Sequence, residues 1–179
     1  MILETKRLLL RPFYESDAED VYAYARDPRV GPVAGWPAHK SVEDSRQAIR
    51  TVFAGPRVFA MTKKDTGKVI GSIGLVDRHF GDPPLPDNEL GYALGADYWG
   101  QGLTTEAARA VIACCFTQLG LQTLWCGYYE GNERSHRVME KCGFTYRFSR
   151  WEDVELMHER RKSHYYALTK SQWEAGRPE

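Results

Sequence analysis

The sequence lacks an excess of either charge, and it lacks any long hydrophobic run. Its 24 Lys and Arg residues are balanced by 24 Asp and Glu residues, so its formal net charge is zero. A balanced charge argues against binding to nucleic acid through bulk electrostatics, although it leaves room for a local basic patch. No apolar stretch approaches the ~18 residues of a membrane-spanning helix. We therefore expect neither nucleic acid nor membrane as a partner.

Cysteine is scarce, and its spacing excludes the common metal motifs. There is no CxxC pair, and no cysteine has a histidine at a zinc-like spacing. The cysteines all lie in apolar segments, at Cys114, Cys115, Cys126 and Cys142. We predict reduced thiols that pack as small hydrophobic groups, and no metal site. Reduced thiols and an N-terminal segment without the layout of an export signal favour the cytoplasm.

The composition that remains is that of a soluble globular protein. Hydrophobic residues make up 42% and charged residues 27% of the 179 residues. That length is sufficient for one domain with a substantial core. The sequence shows no internal repeat, no low-complexity segment and no linker long enough to divide it. We predict a single domain over residues 1–179.

Hydrophobic periodicity and turn residues predict strands and helices in the order β-α-α-β-β-β-α-β-α-β-β. The strands are expected at 7–13, in a hairpin over 57–78, and at 89–94, 121–129, 144–150 and 162–169. The helices are expected between Ser16, capped with Glu19, and Pro28; from Val42 to Phe53, with Ser41 as cap; over 104–120; and from Asn132 to Gly143. Strand, helix and strand around residue 102 predict a parallel pair in an otherwise antiparallel sheet, which is an α/β fold.

Two glycines stand where the third of these helices must begin, in the segment "WGQGLTTE". A helix N-terminus exposes unpaired backbone N–H groups and a partial positive charge, so phosphates bind there readily. Gly100 and Gly102 remove the Cβ atoms that would keep a ligand away from the backbone. Thr104 and Thr105 can cap the helix or donate hydroxyl groups. A plain turn before a helix is the alternative interpretation, because a lone GxG is a weak signal.

Two familiar phosphate loops do not fit this segment. A Walker loop ends in GK[ST], and no lysine lies near Gly102. A dinucleotide fingerprint needs a third glycine or alanine where Thr105 stands, near the start of the domain. An enzyme that binds ATP or NAD at this helix is therefore the least favoured reading.

Six segments in this order resemble the GCN5-related N-acetyltransferases (GNAT), especially the RimJ/RimL-type branch. The segments are "LETKRLLLRPF", "GKVIGSIGL", "ELGYAL", "YWGQGLTTEAARAVI", "NERSHRVMEKCGF" and "HYYALTKSQW". The resemblance covers nearly the whole chain. It implies the GNAT fold, a mostly antiparallel sheet with flanking helices in which the fourth and fifth strands run parallel and splay apart.

The resemblance implies acetyl-CoA as cosubstrate, without a metal. The residues that it assigns to this ligand are Ala93, Leu94, Trp99, Gly100, Gln101, Gly102, Leu103, Thr104, Thr105, Asn132 and Arg137. Backbone groups near Leu94 would pair with the pantetheine arm and polarise the thioester oxygen. Gln101 departs from the lysine that is frequent in the branch, and 95–106 contains no basic residue. Charge could come from Arg134, Arg137 or Lys141.

The resemblance also implies roles in acetyl transfer to an amine. Glu89 is the candidate base, with a solvated strand-end glutamate as the alternative. Ser135, in an Asn-x-x-Ser match, is the candidate acid, with an ordinary polar helix residue as the alternative. Asn132 either caps its helix or also binds pantetheine.

Candidates for the acceptor pocket are Trp36, His39 and Tyr92, and the acceptor is a protein N-terminal amine or a small-molecule amine. Asp82 and Asp87 suggest a cationic acceptor, unless their loop is simply solvated. A catalytically silent acyl-CoA-binding module or sensor is the alternative function. The sequence does not reveal the oligomeric state.

Overall fold

One mixed eight-stranded sheet organises the chain in the computed structural model, which describes residues 1–176. The strands are β1 (Leu3–Glu4), β2 (Leu8–Arg11), β3 (Val58–Lys63), β4 (Val69–Leu75), β5 (Asp87–Leu94), β6 (Thr123–Tyr129), β7 (Thr145–Val154) and β8 (Glu159–Thr169). Their order across the sheet is β1-β2-β3-β4-β5-β6-β8-β7. Neighbouring strands are antiparallel except β5 and β6, which are parallel. The α/β fold with one parallel pair is therefore confirmed.

Helices cover both faces of this sheet. They are α1 (Ala18–Ala25), α2 (Gly31–Ala34), α3 (Val42–Arg50), α4 (Leu103–Thr117), α5 (Glu133–Lys141) and α6 (Lys170–Ala175). Side chains alternate between the two faces along a strand. Phe59 and Met61 accordingly join the larger core under α4, whereas Ala60 joins a second core with α1 and α3. The sheet is thus buried between two helical layers over its first strands.

The parallel strands separate after a short paired stretch. Asp87–Leu90 pairs with Thr123–Cys126, and the pairing ends there. Beyond that point β5 stays bonded to β4, and β6 stays bonded to β8. Residues 91–94 and 127–129 therefore face each other across a gap. These are the fourth and fifth strands expected from the sequence, renumbered because the short β1 precedes them.

The start of α1 differs from the sequence expectation. Ser16 and Glu19 do not cap it, because a 3₁₀ turn over Glu15–Asp17 precedes the helix. The Asp17 carboxylate accepts the Tyr14 N–H at 2.8 Å and binds both Nη atoms of Arg11, at 2.8 Å each. Asp17 therefore stabilises the start of this helical segment, because Arg11 of β2 binds its carboxylate. Local sequence spacing does not reveal that contact.

Other expectations for helix ends are partly confirmed. Ser41 caps α3, since its Oγ accepts the Asp44 N–H at 3.2 Å. The helix ends at Arg50 rather than Phe53, because the Phe53 N–H turns back to the Ala48 carbonyl. The short elements β1, α2 and α6 were not predicted from the sequence.

The loop between β4 and β5 packs against the sheet. Asp87 is buried, and its carboxylate accepts the N–H groups of Phe80 at 2.8 Å and Gly81 at 3.2 Å. The Phe80 ring stacks on Trp125 with 4.4 Å between centroids. Asp87 therefore anchors this loop and is not available to bind a cationic acceptor. The same anchoring holds Arg78, at the start of the loop, over β5.

Candidate active site

The backbone at the start of α4 forms a cradle for an anion. Gly100 and Gly102 both have φ of +74°, a conformation that side chains disfavour. A Cβ atom at Gly100 would meet no protein atom within 4 Å, so the space in front of it is open. The first helical bond joins the Glu106 N–H to the Gly102 carbonyl, and no side chain caps the helix. The N–H groups of 103–105 therefore have no acceptor within the helix.

Arg7 braces this loop from a distant part of the chain. Its Nε lies 2.7 Å from the Glu106 carboxylate, and its Nη1 donates to the Gln101 carbonyl at 3.0 Å. The Glu106 carboxylate also accepts the Thr5 hydroxyl and the Arg7 backbone N–H, both at 2.7 Å. The Gln101 side chain reaches back to the Asp97 carbonyl at 3.4 Å. Gln101 therefore shapes the turn and does not line the cavity described next.

A cavity of about 240 Å³, here called the cofactor cavity, lies between the start of α4, α5 and the unpaired end of β5. Every residue predicted to bind the cofactor lines it except Gln101: Ala93, Leu94, Trp99, Gly100, Gly102, Leu103, Thr104, Thr105, Asn132 and Arg137. The structure thus brings together residues from three separate segments.

The cofactor cavity has a strongly cationic wall. Among the residues that the structure describes, four cations and no carboxylate line it: Arg29, Arg134, Arg137 and Lys141. The Arg134 guanidinium lies 3.7 Å from the centroid of the Trp99 ring, and that of Arg29 lies 5.8 Å from it. Sequence reasoning missed Arg29, which arrives from the turn after α1. These cations place positive charge beside a loop that itself contains no basic residue.

Glu89 is a buried carboxylate on β5. Its side chain is 10% exposed, and its Oε2 lies 3.3 Å from Nη1 of Arg78. Its Oε1 has no hydrogen-bond partner in the described part of the chain, and it faces Gly127 across the strand gap. Burial raises the pKa of Glu89, and Arg78 opposes that rise. Burial therefore makes this carboxylate a stronger base than an exposed glutamate.

A network of charged side chains holds Arg78. Its Nη1 donates to the Tyr165 hydroxyl at 2.7 Å, and its Nη2 lies 3.4 Å from Glu152. The Tyr165 hydroxyl in turn donates to Glu152 at 2.5 Å, and Nε of Arg150 donates to the same carboxylate at 2.9 Å. These residues come from the loop after β4, from β7 and from β8. No local sequence signal indicated that they would meet.

Ser135 and Tyr92 form a second polar pair. The Tyr92 hydroxyl lies 3.0 Å from both the carbonyl oxygen and the Oγ of Ser135. A phenol has one proton, so when it donates to the carbonyl, the serine hydroxyl donates to it. Burial raises the pKa of Tyr92 well above its ordinary value. Asn132 caps α5 by accepting the Ser135 N–H at 3.4 Å, as predicted.

A second cavity, here called the acceptor cavity, has a volume of about 550 Å³. Glu89 and Trp36 line it and do not line the cofactor cavity. Six residues line both cavities: Val33, Ala34, Tyr92, Ala93, Asn132 and Ser135. The two cavities therefore meet at the unpaired end of β5, beside the Tyr92–Ser135 pair.

His39 lies outside both cavities. Its Nδ1 is 2.8 Å from the Ser45 Oγ, and its ring is tilted against Trp36 at 5.4 Å between centroids. Burial lowers the pKa of His39. Its contacts are those of a residue that fixes Trp36 in the wall of the acceptor cavity.

The comparisons with known proteins identify the class. Residues 7–145 match the acetyltransferase (GNAT) domain family. The uncharacterised N-acetyltransferase YoaA of Bacillus subtilis (strain 168) is 31% identical over 152 residues, covering 80% of this chain and 82% of YoaA. The chain therefore belongs to the GNAT acetyltransferase family, whose members transfer an acetyl group from acetyl-CoA to an amine, and it is an N-acetyltransferase.

Solved structures share its architecture. A GNAT-family acetyltransferase from Bacillus anthracis superposes with a TM-score of 0.81 at 25% identity, covering 96% of this chain and 99% of the other. The ribosomal-protein-S5-alanine acetyltransferase of Vibrio fischeri gives a TM-score of 0.75 at 20% identity, covering 99% and 100%. The microcin C7 self-immunity acetyltransferase MccE, solved with acetyl-CoA and AMP, gives 0.75 at 18%, covering 92% and 93%. At these lower identities the likeness concerns the fold.

Within residues 1–176, no group of three or more His, Cys, Asp or Glu side chains is arranged to hold a metal ion. No helix in that part of the chain is long and apolar enough to cross a membrane. All four cysteines are free thiols.

Proposed function

We propose that the chain binds acetyl-CoA in the cofactor cavity and transfers its acetyl group to an amine held in the acceptor cavity. The observation that carries this proposal is the meeting of the two cavities along the unpaired end of β5. A ligand that enters from the start of α4 and one that enters beside Glu89 would come together there. The acceptor is a small-molecule amine or a protein N-terminal amine.

Phosphate recognition would rest on the cradle and on the cationic wall. The free N–H groups of 103–105 and the helix dipole favour the pyrophosphate. Arg29, Arg134, Arg137 and Lys141 surround the same cavity and add four positive charges. The space in front of Gly100 is open to a ligand, and a side chain at this position would occupy that space. The residues present therefore suit a coenzyme A phosphate group.

The pantetheine arm would extend along the unpaired end of β5 as an added strand pairs with a sheet edge. Ala93 and Leu94 lie at this edge and line the cavity. A backbone N–H near Leu94 would polarise the thioester carbonyl. Asn132 lies opposite, on the start of α5, and lines both cavities.

Acetyl-CoA supplies the acetyl group and a thiol leaving group. Glu89 would take a proton from the amine, directly or through a water molecule, so that the nitrogen can bond to the acetyl carbon. As the carbon–sulfur bond breaks, the Ser135 hydroxyl would give its proton to the sulfur, and the serine oxygen would regain a proton from solvent. Tyr92 would hold that hydroxyl in place through the 3.0 Å contact. The raised pKa of Glu89 suits a base, because burial increases the proton affinity of its carboxylate.

Thermal unfolding with acetyl-CoA, ATP or NAD tests the ligand. A ligand at ~100 times its dissociation constant adds about 2.7 kcal/mol to the free energy of unfolding. We expect stabilisation by acetyl-CoA alone. Stabilisation by ATP or NAD alone, or no stabilisation, would contradict the assignment of the cofactor cavity.

Release of free thiol with a mixed panel of amines tests the transfer. We expect turnover, and we expect Glu89→Gln and Ser135→Ala each to lower kcat about a hundredfold while acetyl-CoA still stabilises the fold. Normal turnover in both variants would overturn the catalytic roles. Stabilisation by acetyl-CoA without turnover of any amine would instead indicate a silent acyl-CoA-binding module.

A further inference from the structure

The charges that line the acceptor cavity are few. Within residues 1–176 they are Asp77, Arg78 and Glu89. The Asp77 side chain is 92% exposed and lies 3.4 Å from a ring nitrogen of His79, so it belongs to the solvent side of the rim. Arg78 is bound to Glu89, Tyr165 and Glu152. One buried carboxylate oxygen, Oε1 of Glu89, is left to receive a polar group of the acceptor.

The rest of this cavity is largely apolar or aromatic. Its wall includes Trp36, Phe53, Val58, Ile73, Leu75 and Tyr129. These residues come from the turn after α2, from the chain before β3 and the first residue of β3, and from β4 and β6. Binding sites of this composition hold the apolar body of a ligand and orient it through a few polar groups.

Two apolar side chains at the rim are unusually exposed. Val52 is 68% and Val76 is 54% exposed, and both line the acceptor cavity. The Val76 N–H donates to the Glu89 carbonyl at 3.0 Å, so Val76 is the neighbour of Glu89 on the adjacent chain segment. Its Cγ1 lies 2.8 Å from where a Cβ of Gly91 would be, so it covers the backbone of β5. An apolar surface therefore extends from the base out to solvent.

We propose that the acceptor is a primary amine attached to an apolar body, with the amine at Glu89 and the body between Trp36, Phe53 and Val76. This inference rests on the proposed function and names its substrate class. A second cation on the acceptor would find no further buried carboxylate, because Asp77 is 92% exposed, Asp87 is tied to the backbone of its loop and Asp82 does not line the cavity. Free amines and peptides with an apolar first residue share this chemistry.

Matched amines test the proposal with the intact protein and saturating acetyl-CoA. Butylamine, hexylamine and octylamine vary the apolar length, and 1,6-diaminohexane adds a second cation to hexylamine. Peptides that begin with Leu or with Lys distinguish a protein N-terminus from a free amine. We expect kcat/KM to rise about fourfold per methylene until the cavity is filled. We expect hexylamine to exceed 1,6-diaminohexane at least tenfold, and the Leu peptide to exceed the Lys peptide if peptides are accepted.

One substitution should largely abolish this preference. Val76→Asp places a carboxylate next to the apolar body, so we expect the ratio of kcat/KM for hexylamine to that for 1,6-diaminohexane to fall about tenfold. Leu156→Asp is the matched control, since Leu156 is 67% exposed and lines neither cavity. Stabilisation of each variant by acetyl-CoA, measured by thermal unfolding, reports that the fold is retained.

The outcomes separate this proposal from the one on which it rests. Turnover of diamines or the Lys peptide at or above their apolar counterparts would overturn the apolar acceptor and leave the acetyl transfer standing. Absence of thiol release with every amine and peptide would overturn both. An unchanged ratio in Val76→Asp would contradict the placement of the apolar body beside Val76 in the acceptor cavity.

Discussion

The guanidinium of Arg78 lies 3.3 Å from the carboxylate of Glu89, yet Arg78 is not a partner for Glu89 alone. Glu152 lies 3.4 Å from the same guanidinium, and Tyr165 bridges the two at 2.7 Å from Arg78 and 2.5 Å from Glu152. Arg150 adds a second cation to the same carboxylate, with its Nη2 at 2.8 Å from Glu152 Oε1. Glu89 therefore shares one cation with a competing carboxylate, and its proton affinity depends on residues that it does not touch.

Arg78→Met should move the acidic limb of the kcat/KM profile to higher pH by about one unit. Glu89 acts in its ionised form, and activity is lost as the pH falls through its pKa, which burial has already raised. Removal of the neighbouring cation raises that pKa further, so activity is lost earlier on acidification. Arg160→Met is the control, because Arg160 is exposed and paired with Asp153 at the surface. A limb that stays in place would contradict the role of Arg78.

Glu152→Gln should move the same limb in the opposite direction. The Glu152 carboxylate raises the pKa of Glu89 by repulsion and also occupies Arg78. Its loss lets Arg78 favour the ionised form of Glu89, so activity should persist to lower pH. Asp153→Asn, one residue further along β7 and 79% exposed, is the matched control. Shifts of equal sign in Arg78→Met and Glu152→Gln would show that the profile does not report on Glu89.

The other groups near Glu89 are Tyr165 on β8, Arg150 on β7, and Cys126 and Tyr129 on β6. Burial raises the pKa of Cys126, Tyr129 and Tyr165 above their ordinary values. They stay neutral through the acidic range. The acidic limb therefore isolates the carboxylates, and both pH experiments are best read below pH 8.

Tyr92→Phe should lower kcat about tenfold with little change in the KM for acetyl-CoA. The change removes the hydroxyl that lies 3.0 Å from the Ser135 Oγ, so the serine loses the group that orients it. In a double-mutant cycle, Tyr92→Phe should add little to Ser135→Ala, since both act through one hydroxyl. If the decrease in kcat of the double variant equals the product of the two single decreases, Tyr92 has a separate role in the acceptor cavity.

Gly100→Ala should weaken acetyl-CoA binding about tenfold. A matched comparison is Gly67→Ala in the turn between β3 and β4, because the two glycines have φ of +74° and +70° and open space around them. Both substitutions should cost about 1–2 kcal/mol of stability, through backbone strain. Only Gly100→Ala should change the dissociation constant measured by calorimetry. Equal affinity in both variants would mean that the loop does not contact the ligand.

Local signals were sufficient to predict where the two helices beside the cofactor cavity begin. Gly100 and Gly102 lie next to the periodic helix that they precede, and Asn132 lies three residues before the N–H group that it caps. The GxG spacing and a capping residue therefore indicated both helix starts. The parallel β5–β6 pair followed from the order of strand, helix and strand around α4.

The chemistry around Glu89 required contacts that no local pattern contains. Arg78 and Tyr165 meet because β5, β6 and β8 are neighbours in the sheet, an order fixed by the whole fold. Arg7, just before β2, reaches the Gln101 carbonyl in the loop before α4 for the same reason. Tyr92 was expected in the acceptor pocket, and it does line that cavity, but its hydroxyl turns toward α5.

The gap between β5 and β6 has a mechanical consequence. The sheet consists of two sections, β1–β5 and β6–β8, joined by four residue pairs between 87–90 and 123–126. Glu89 lies within the paired stretch, near its end, whereas Ser135 lies on α5, beyond the paired stretch and beside the opening. A ligand bound across the opening would connect the two sections, so ligand binding should also stabilise the contact between them. Without a ligand, the two sections of the sheet should therefore separate more readily.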